Sequence, residues 1–156
     1  MDTFVLLNST PTMFPISGPQ LENLIPQKHP FVLISSLKEI NDKTCVTSFT
    51  VTDGHVLCNN GRLSLAGLLE NMAQSSGCKL GYEDFMEGRK PRVGFIGEVR
   101  DFQFSRLPTV GEELTTEITI ESKVFGSVTV ISGRVNTGGE EIASCRMKVF
   151  FEPENN

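Results

Sequence analysis

The feature that most restricts the fold is a helical segment with almost no polar face. Residues 63–78 contain a single charged side chain, Glu70. Apolar residues recur at the spacing of an α-helix, at positions 65, 68, 69, 72, 73 and 80, and small residues fill most of the other positions. A helix of this kind is buried on nearly all sides, so the rest of the chain has to pack around it.

Segments with the alternation of β-strands lie on both sides of this helix. Two precede it, at about 31–40 and 45–52, and four follow it between residues 93 and 151. A change of alternation between Val99 and Phe102 predicts a β-bulge, and Thr137-Gly-Gly139 predicts a tight hairpin. The chain lacks the helices that cover both faces of a parallel sheet. We therefore predict an α+β fold, in which an antiparallel six-stranded sheet is wrapped around one long central helix.

The length of the chain indicates a single domain. Its 156 residues are enough for one hydrophobic core. Residues 1–18 contain proline, serine and threonine without strand or helix periodicity, which predicts an N-terminal arm. A short helix is predicted at about 20–25, so residues 19–156 form the domain.

Composition argues against several classes of protein. The net charge is −5 and the basic residues form no dense run, which disfavours nucleic acid as the main partner. No stretch approaches the roughly 20 apolar residues that cross a bilayer, and the first residues lack the basic region of a secretory signal. We therefore predict a cytoplasmic protein. The four cysteines have no C-x-x-C spacing, so we interpret them as reduced thiols and expect no metal site.

Glu70 and His55 are the residues that most indicate a function. An ionised carboxylate on a buried helix is costly unless it is paired, protonated or facing a cavity. His55 follows Gly54 at the end of the second predicted strand, where a loop begins. A histidine in such a place is often only a solvated turn residue. The two residues together are nevertheless candidates for a functional site.

Four segments appear in an order and spacing that resemble a known family. They are 25–31 (Ile-Pro-Gln-Lys-His-Pro-Phe), 54–55 (Gly-His), 69–74 (Leu-Glu-Asn-Met-Ala-Gln) and 99–114, which contains Arg106, Pro108 and Gly-Glu-Glu-Leu. These segments resemble motifs of the beta-hydroxyacyl-acyl-carrier-protein dehydratases of fatty-acid synthesis, which are FabZ/FabA-like members of the hot-dog fold. The resemblance implies a hydro-lyase that removes water from a 3-hydroxyacyl thioester to give a 2-enoyl thioester.

The resemblance also implies a catalytic pair. His55 and Glu70 occupy the positions of the family's catalytic residues, which meet across a homodimer interface. An imidazole can take the C2 proton, and a carboxylic acid in apolar surroundings can give a proton to the leaving hydroxyl. The thioester oxygen gains negative charge in this step. Free N–H groups in the first turn of the helix, at about Ser64, Leu65 and Ala66, are suited to bind it.

Partners and substrate contacts follow from the same resemblance. The acyl chain is expected on the phosphopantetheine of an acyl carrier protein or on coenzyme A, without a further cofactor. The chain is expected to form a homodimer or an oligomer of dimers, or a heterodimer with a paralogue. Substrate-pocket candidates are His29, Phe31 and Gln74. A docking patch for an acidic carrier protein is predicted at Arg89, Lys90 and Arg92.

The sequence departs from the family at several positions. The family's proline-rich connection after the histidine is replaced by residues 56–64, and Leu65 stands where the family has a glycine beneath the thioester. Gln27 and His29 replace the family's His and Tyr in the first motif. We therefore assign neither Gln27 nor His29 as catalytic.

Two other functions fit the residues. A hot-dog thioesterase can use the helix carboxylate to activate water and does not need His55. A non-catalytic acyl-binding subunit, paired with an active paralogue, is compatible with the altered loop. Glu70 could also be a structural carboxylate bonded to the backbone of residues 25–31, and Asn71 and Gln74 are interpreted as hydrogen-bonded polar residues of the helix. The retained His55 favours the dehydratase.

Overall fold

The order of elements is one long helix set among strands, as predicted. The structure, a computed structural model, describes residues 13–124 and 127–153, so most of the predicted N-terminal arm lies outside the described residues. The elements, in chain order, are β1 (Ile16–Ser17), α1 (Pro19–Glu22), β2 (Ser36–Ile40), β3 (Thr44–Thr50), β4 (Cys58–Asn59), β5 (Arg62–Leu63), α2 (Leu65–Met86), β6 (Gly94–Phe104), β7 (Glu113–Val124), β8 (Val128–Thr137) and β9 (Glu140–Phe151).

Helix α2 is the predicted central helix. Ser64 caps its first turn, where the Ser64 Oγ accepts a hydrogen bond from the Gly67 N–H at 3.1 Å. Gly81 lets the helix approach the backbone of Leu24, because a Cβ at position 81 would lie 1.7 Å from the Leu24 carbonyl oxygen. The predicted burial is confirmed for the middle of α2, and 11 of the 22 helix residues are buried. A stripe that is less covered contains Ala66, Leu69, Glu70, Ala73, Gly77 and Leu80, and both ends of the helix are partly exposed as well.

The main sheet has seven strands rather than the predicted six. They pair antiparallel in the order β1-β2-β3-β7-β8-β9-β6. The six predicted strands are all present, and the seventh is β1, whose two residues pair with β2. Two residues are too few to show alternation, so the sequence pattern could not reveal this strand. The curved antiparallel sheet around one helix is the architecture of the hot-dog fold.

Two local predictions along the strands, the bulge and the hairpin, are confirmed. The register of β6 against β9 shifts between Arg100 and Gln103, where the bulge was predicted, and again between Ile96 and Glu98. The hairpin between β8 and β9 turns through Gly138 and Gly139, with φ of 58° and 80°. Such positive values at both turn residues fit the tight turns that join antiparallel strands.

Strand β6 forms a long edge of the sheet. It has 11 residues and pairs only with β9 in the described part of the chain. Phe95 at its start is 63% exposed and Phe104 at its end is 47% exposed. An edge of this length presents unpaired backbone groups and apolar side chains, which makes it suited to pairing with another chain.

The cysteines behave as structural thiols. All four are free. Burial raises the pKa of Cys45 to about 12 and that of Cys145 to about 11, so both thiols stay protonated near neutral pH. Within residues 13–124 and 127–153, no group of three or more His, Cys, Asp or Glu side chains is arranged to hold a metal ion. No helix among the described residues has the length and apolarity to cross a membrane.

Candidate active site

His55 lies in the loop after β3, where two backbone groups hold its ring. The ring Nδ1 accepts a hydrogen bond from the Leu57 N–H at 3.0 Å, so Nε2 carries the proton and donates it to the Val32 carbonyl oxygen, also at 3.0 Å. The Phe49 ring meets the imidazole edge-on, with 5.9 Å between ring centroids. His55 is thus a half-buried, oriented and neutral imidazole rather than a solvated turn residue.

The imidazole of His55 lines a cavity of about 470 Å³. Buried apolar side chains form much of its wall, including Ile25, Ile34 and Phe49. His29 also lines this cavity, with a side chain that is 78% exposed and lies 3.9 Å from a Glu22 carboxylate oxygen. An acyl chain that enters this cavity meets a wall of mostly apolar surface that includes the His55 ring, whose two nitrogens are bonded to backbone.

Glu70 lies on the partly exposed stripe of α2 and lines a different cavity. This second cavity has a volume of about 260 Å³ and is bounded by α2, by Pro26 and Gln27, and by the start of the edge strand β6. Among the residues that the structure describes, the Glu70 carboxylate has no hydrogen-bond or ion-pair partner. The alternative of a structural carboxylate bonded to residues 25–31 is therefore not supported.

Asn71 and Gln74, the neighbours of Glu70 on α2, clamp residues 31–33. The Gln74 side chain accepts a hydrogen bond from the Leu33 N–H at 2.8 Å and donates one to the Phe31 carbonyl at 3.0 Å. The Asn71 amide donates to the Leu33 carbonyl at 2.9 Å. Their interpretation as hydrogen-bonded helix residues is confirmed. The clamp also fixes Val32, whose carbonyl orients the His55 ring.

The three predicted pocket residues, His29, Phe31 and Gln74, do not line one common cavity. Gln74 lines the Glu70 cavity, but both ends of its amide are already bonded to backbone. His29 lies on the rim of the His55 cavity. The Phe31 side chain is 59% exposed and lines neither of these two cavities.

The N-terminus of α2 offers two of the three predicted amide donors. The Ser64 N–H donates to the Leu57 carbonyl at 2.9 Å, so it is already used. The N–H groups of Leu65 and Ala66 have no acceptor in the described part of the chain, and both residues line a third, open cavity of about 700 Å³. Leu57 thus connects the two parts of the site, because its N–H holds the His55 ring and its carbonyl holds the start of α2.

The altered connection after His55 folds into a small hairpin. Strands β4 and β5 pair antiparallel, and the turn between them passes through Asn60 and Gly61 with φ of 52° and 75°. Leu63 is fully buried, and its N–H donates to the Pro108 carbonyl at 2.9 Å. The departure from the family motif is therefore an ordered hairpin that delivers the chain to the start of α2.

Arg92 does not belong to a docking patch, which corrects the prediction. It is buried, and two of its nitrogens lie 3.0 and 3.2 Å from the oxygens of the fully buried Asp84 carboxylate. Arg89 binds the same carboxylate at 3.1 and 2.9 Å. An arginine that neutralises a buried carboxylate cannot leave it without a large cost in stability. Lys90 is exposed and stays a candidate for docking.

Comparisons with known proteins agree with this architecture. One chain in the solved structure of the dehydratase heterocomplex ApeI:P from Xenorhabdus doucetiae is 18% identical to this chain. The two superpose with a TM-score of 0.79 over 91% of this chain and 93% of that chain. The smu.793 protein of Streptococcus mutans UA159, bound to acetyl CoA, is 12% identical, with a TM-score of 0.61 over 85% of this chain and 98% of that chain. A hypothetical thioesterase of Streptococcus pneumoniae TIGR4, with coenzyme A, is 13% identical, with a TM-score of 0.58 over 77% of this chain and 87% of that chain.

At these identities the structural likeness establishes the hot-dog fold alone. The family is established separately, because the model of the ApeP-like family, described as ApeP dehydratase, matches residues 19–156. The chain therefore belongs to the ApeP-like dehydratase family. No curated protein sequence matches it.

Proposed function

We propose that this chain removes water from 3-hydroxyacyl thioesters to give 2-enoyl thioesters, with His55 as the base and Glu70 as the acid. One observation carries the proposal: an oriented, neutral imidazole lies in the wall of an apolar cavity. Membership in a dehydratase family supports the reaction class. The substrate is carried by an acyl carrier protein or by coenzyme A.

In this proposal Nδ1 of His55 takes the C2 proton, because Nε2 already carries the proton that it donates to Val32. Nδ1 gives up its hydrogen bond from Leu57, which costs about 1 kcal/mol. The imidazolium that forms stays bound to the Val32 carbonyl. Protonated Glu70 gives its proton to the C3 hydroxyl, which leaves as water, and solvent returns the proton from His55 to Glu70.

The thioester oxygen needs donors while C2 loses its proton. The N–H groups of Leu65 and Ala66 are available for this purpose, since neither has an acceptor among the described residues. They lie in the first turn of a 22-residue helix, where the helix dipole favours negative charge. Backbone donors of this kind make the identity of the side chain at position 65 less important.

The active site in this proposal contains parts of two chains. His55 and Glu70 line separate cavities of one chain, so the proposed base and the proposed acid do not meet within a single cavity. The Glu70 cavity borders the exposed start of β6, and the partly exposed stripe of α2 continues beside it. A second chain that pairs at this edge covers both surfaces.

Light scattering is expected to give at least twice the chain mass of 17.2 kDa at micromolar concentration. Phe95→Asp places a charge on the exposed edge strand and is expected to shift the protein toward the monomer, because a buried unpaired charge opposes association. Val124→Asp is the matched control, since Val124 is also partly exposed but lies at the far end of β7. A wild-type mass near that of one chain contradicts the composite site.

A second candidate function is the acyl-binding subunit that pairs with an active paralogue. It is favoured by the engagement of both His55 ring nitrogens with backbone groups, which leaves no nitrogen free in the unliganded chain. The solved Xenorhabdus doucetiae structure is described as a dehydratase heterocomplex, which supports pairing with a different chain. In this case the paralogue supplies the working acid and base.

Intact-mass analysis of a panel of 3-hydroxyacyl carrier proteins and coenzyme A thioesters tests these functions. Loss of one water from the acyl chain is the expected result. Loss of the whole acyl group indicates a thioesterase. If the chain is inactive alone on every chain length but increases the activity of a paralogue, the acyl-binding subunit is supported instead.

A further inference from the structure

The wall of the Glu70 cavity includes a residue with a buried acceptor that has no donor among the described residues. Gln27 lines this cavity, and its side-chain oxygen Oε1 is shielded from solvent without a hydrogen-bond partner. It is the one buried side-chain nitrogen or oxygen atom in this state among the residues that the structure describes. A buried carbonyl oxygen without a donor is unfavourable, so its position in a cavity wall indicates that a ligand supplies the donor.

The backbone on both sides of Gln27 is held firmly. Leu24 and Ile25 are buried, and the Leu24 carbonyl packs against Gly81 of α2. On the other side, the Phe31 carbonyl is bonded to Gln74. The segment that carries Gln27 is therefore anchored to α2 at both ends, and Oε1 has a defined place in the wall of the cavity that Glu70 also lines.

The proposed reaction leaves one hydrogen without an acceptor. The C3 hydroxyl of the substrate receives a proton from Glu70 at one of its lone pairs, so Glu70 acts as the donor in that contact. The hydroxyl's own hydrogen then needs an acceptor other than Glu70. A side-chain carbonyl oxygen meets this need, because it accepts hydrogen bonds and does not compete for the acid proton.

We infer that Gln27 Oε1 accepts a hydrogen bond from the C3 hydroxyl of the substrate and directs a lone pair of that hydroxyl toward Glu70. This inference rests on the proposed function, because it assumes that a 3-hydroxyacyl chain reaches the Glu70 cavity. It makes Gln27 a residue that recognises the hydroxyl group. Neither the 2-enoyl product nor a saturated acyl chain has a hydrogen to donate at C3, so both lose this contact.

The test compares two stable ligands that differ only in the hydroxyl. Pantetheine thioethers with a 3-hydroxyalkyl or an alkyl chain of the same length cannot lose water by the proposed route, because they lack the carbonyl that acidifies C2. Calorimetry with the assembled wild-type protein is expected to show about ten- to a hundredfold tighter binding of the hydroxyl ligand. The alkyl ligand leaves the buried acceptor unpaired, and an unpaired acceptor costs free energy of this size. Gln27→Leu is expected to remove this preference.

Two further variants make the result specific. Gln20→Leu carries the same substitution at an exposed glutamine of α1 and is expected to keep the wild-type preference. Gln27→Met removes the carbonyl with an unbranched side chain and replaces Gln27→Leu if thermal melting shows that the leucine variant is unfolded. In the dehydration assay, kcat/KM of the Gln27 variant is expected to fall by about the same factor as the binding preference.

Equal binding of the two ligands by the wild-type protein overturns the inference. The inference is also overturned if Gln27→Leu weakens the binding of both ligands equally. In that case Oε1 accepts its hydrogen bond from an amide N–H of the pantetheine arm, which both ligands share. The binding experiment needs no turnover. Absence of water loss in the mass-spectrometric assay therefore contradicts the proposed function, whereas an unchanged preference in Gln27→Leu contradicts only the role of Gln27.

Discussion

His55→Ala is expected to lower the rate of dehydration by about 10²- to 10⁴-fold, the usual contribution of a positioned general base. The variant removes the imidazole that takes the C2 proton in the proposed mechanism. The rate is measured by intact mass with a 3-hydroxyacyl carrier protein that the wild-type chain dehydrates. The variant also removes the two hydrogen bonds between the imidazole and backbone groups, so thermal melting has to show that it is folded.

His29→Ala is the matched control for this prediction. His29 lies on the rim of the same cavity, but its side chain is 78% exposed and its nearest charged neighbour is a carboxylate at 3.9 Å. Its removal should change the rate only slightly. Wild-type activity in His55→Ala, together with loss of activity in a Glu70 variant, contradicts the dehydratase mechanism and supports chemistry that uses the carboxylate alone.

Glu70→Gln is expected to reduce turnover about as much as the loss of His55, since it keeps the shape of the side chain and removes its proton chemistry. Because the acid and the base serve one step, the double variant should be little worse than either single variant. Mixing the two single variants is the decisive measurement. A mixed dimer contains one site with both wild-type residues, so random exchange of chains should restore about a quarter of the wild-type activity.

The control for the mixing experiment is a mixture of the His55→Ala chain with the double-variant chain. Both chains lack His55, so no site in this mixture contains the wild-type pair. Native mass spectrometry shows whether chains have exchanged. If exchange is complete and activity does not return, the two residues do not meet across an interface between copies of this chain. Recovery that needs a paralogue in place of the second copy indicates a heteromeric site.

Much of the fold follows from the sequence because its strongest signals are periodic. A helix without a polar face needs a surrounding sheet, and alternation located the six long strands. Residues 31–34 were predicted to begin a strand, but β2 begins only at Ser36. The backbone of residues 31–33 is hydrogen-bonded instead to the side chains of Asn71 and Gln74 on α2, which lie 38 to 43 positions away in the sequence. The alternation of apolar and polar residues contains no information about such distant partners.

The candidate site was predictable only in part. Spacing between motifs selected His55 and Glu70, whose roles stay predictions. Arg92 looked like a member of a solvated basic loop, because the sequence does not show that Asp84 on α2 is fully buried beneath it. Gln27 differs from the family's residue at its position, so the resemblance gives it no role. Its buried, unpaired oxygen is a property of the folded chain, in which Gln27 lines a cavity with residues of α2 and β6.

The clamp of Asn71 and Gln74 links the two active sites of the proposed dimer. Glu70 and the clamp lie within about one turn of α2. In the proposed dimer Glu70 belongs to one site. The clamp holds residues 31–33, and the Val32 carbonyl in turn orients His55, which belongs to the other site. The helix that carries the acid of one proposed site therefore also sets the position of the base in the other. A substitution that shifts α2 is expected to disturb both groups together, even where it touches neither.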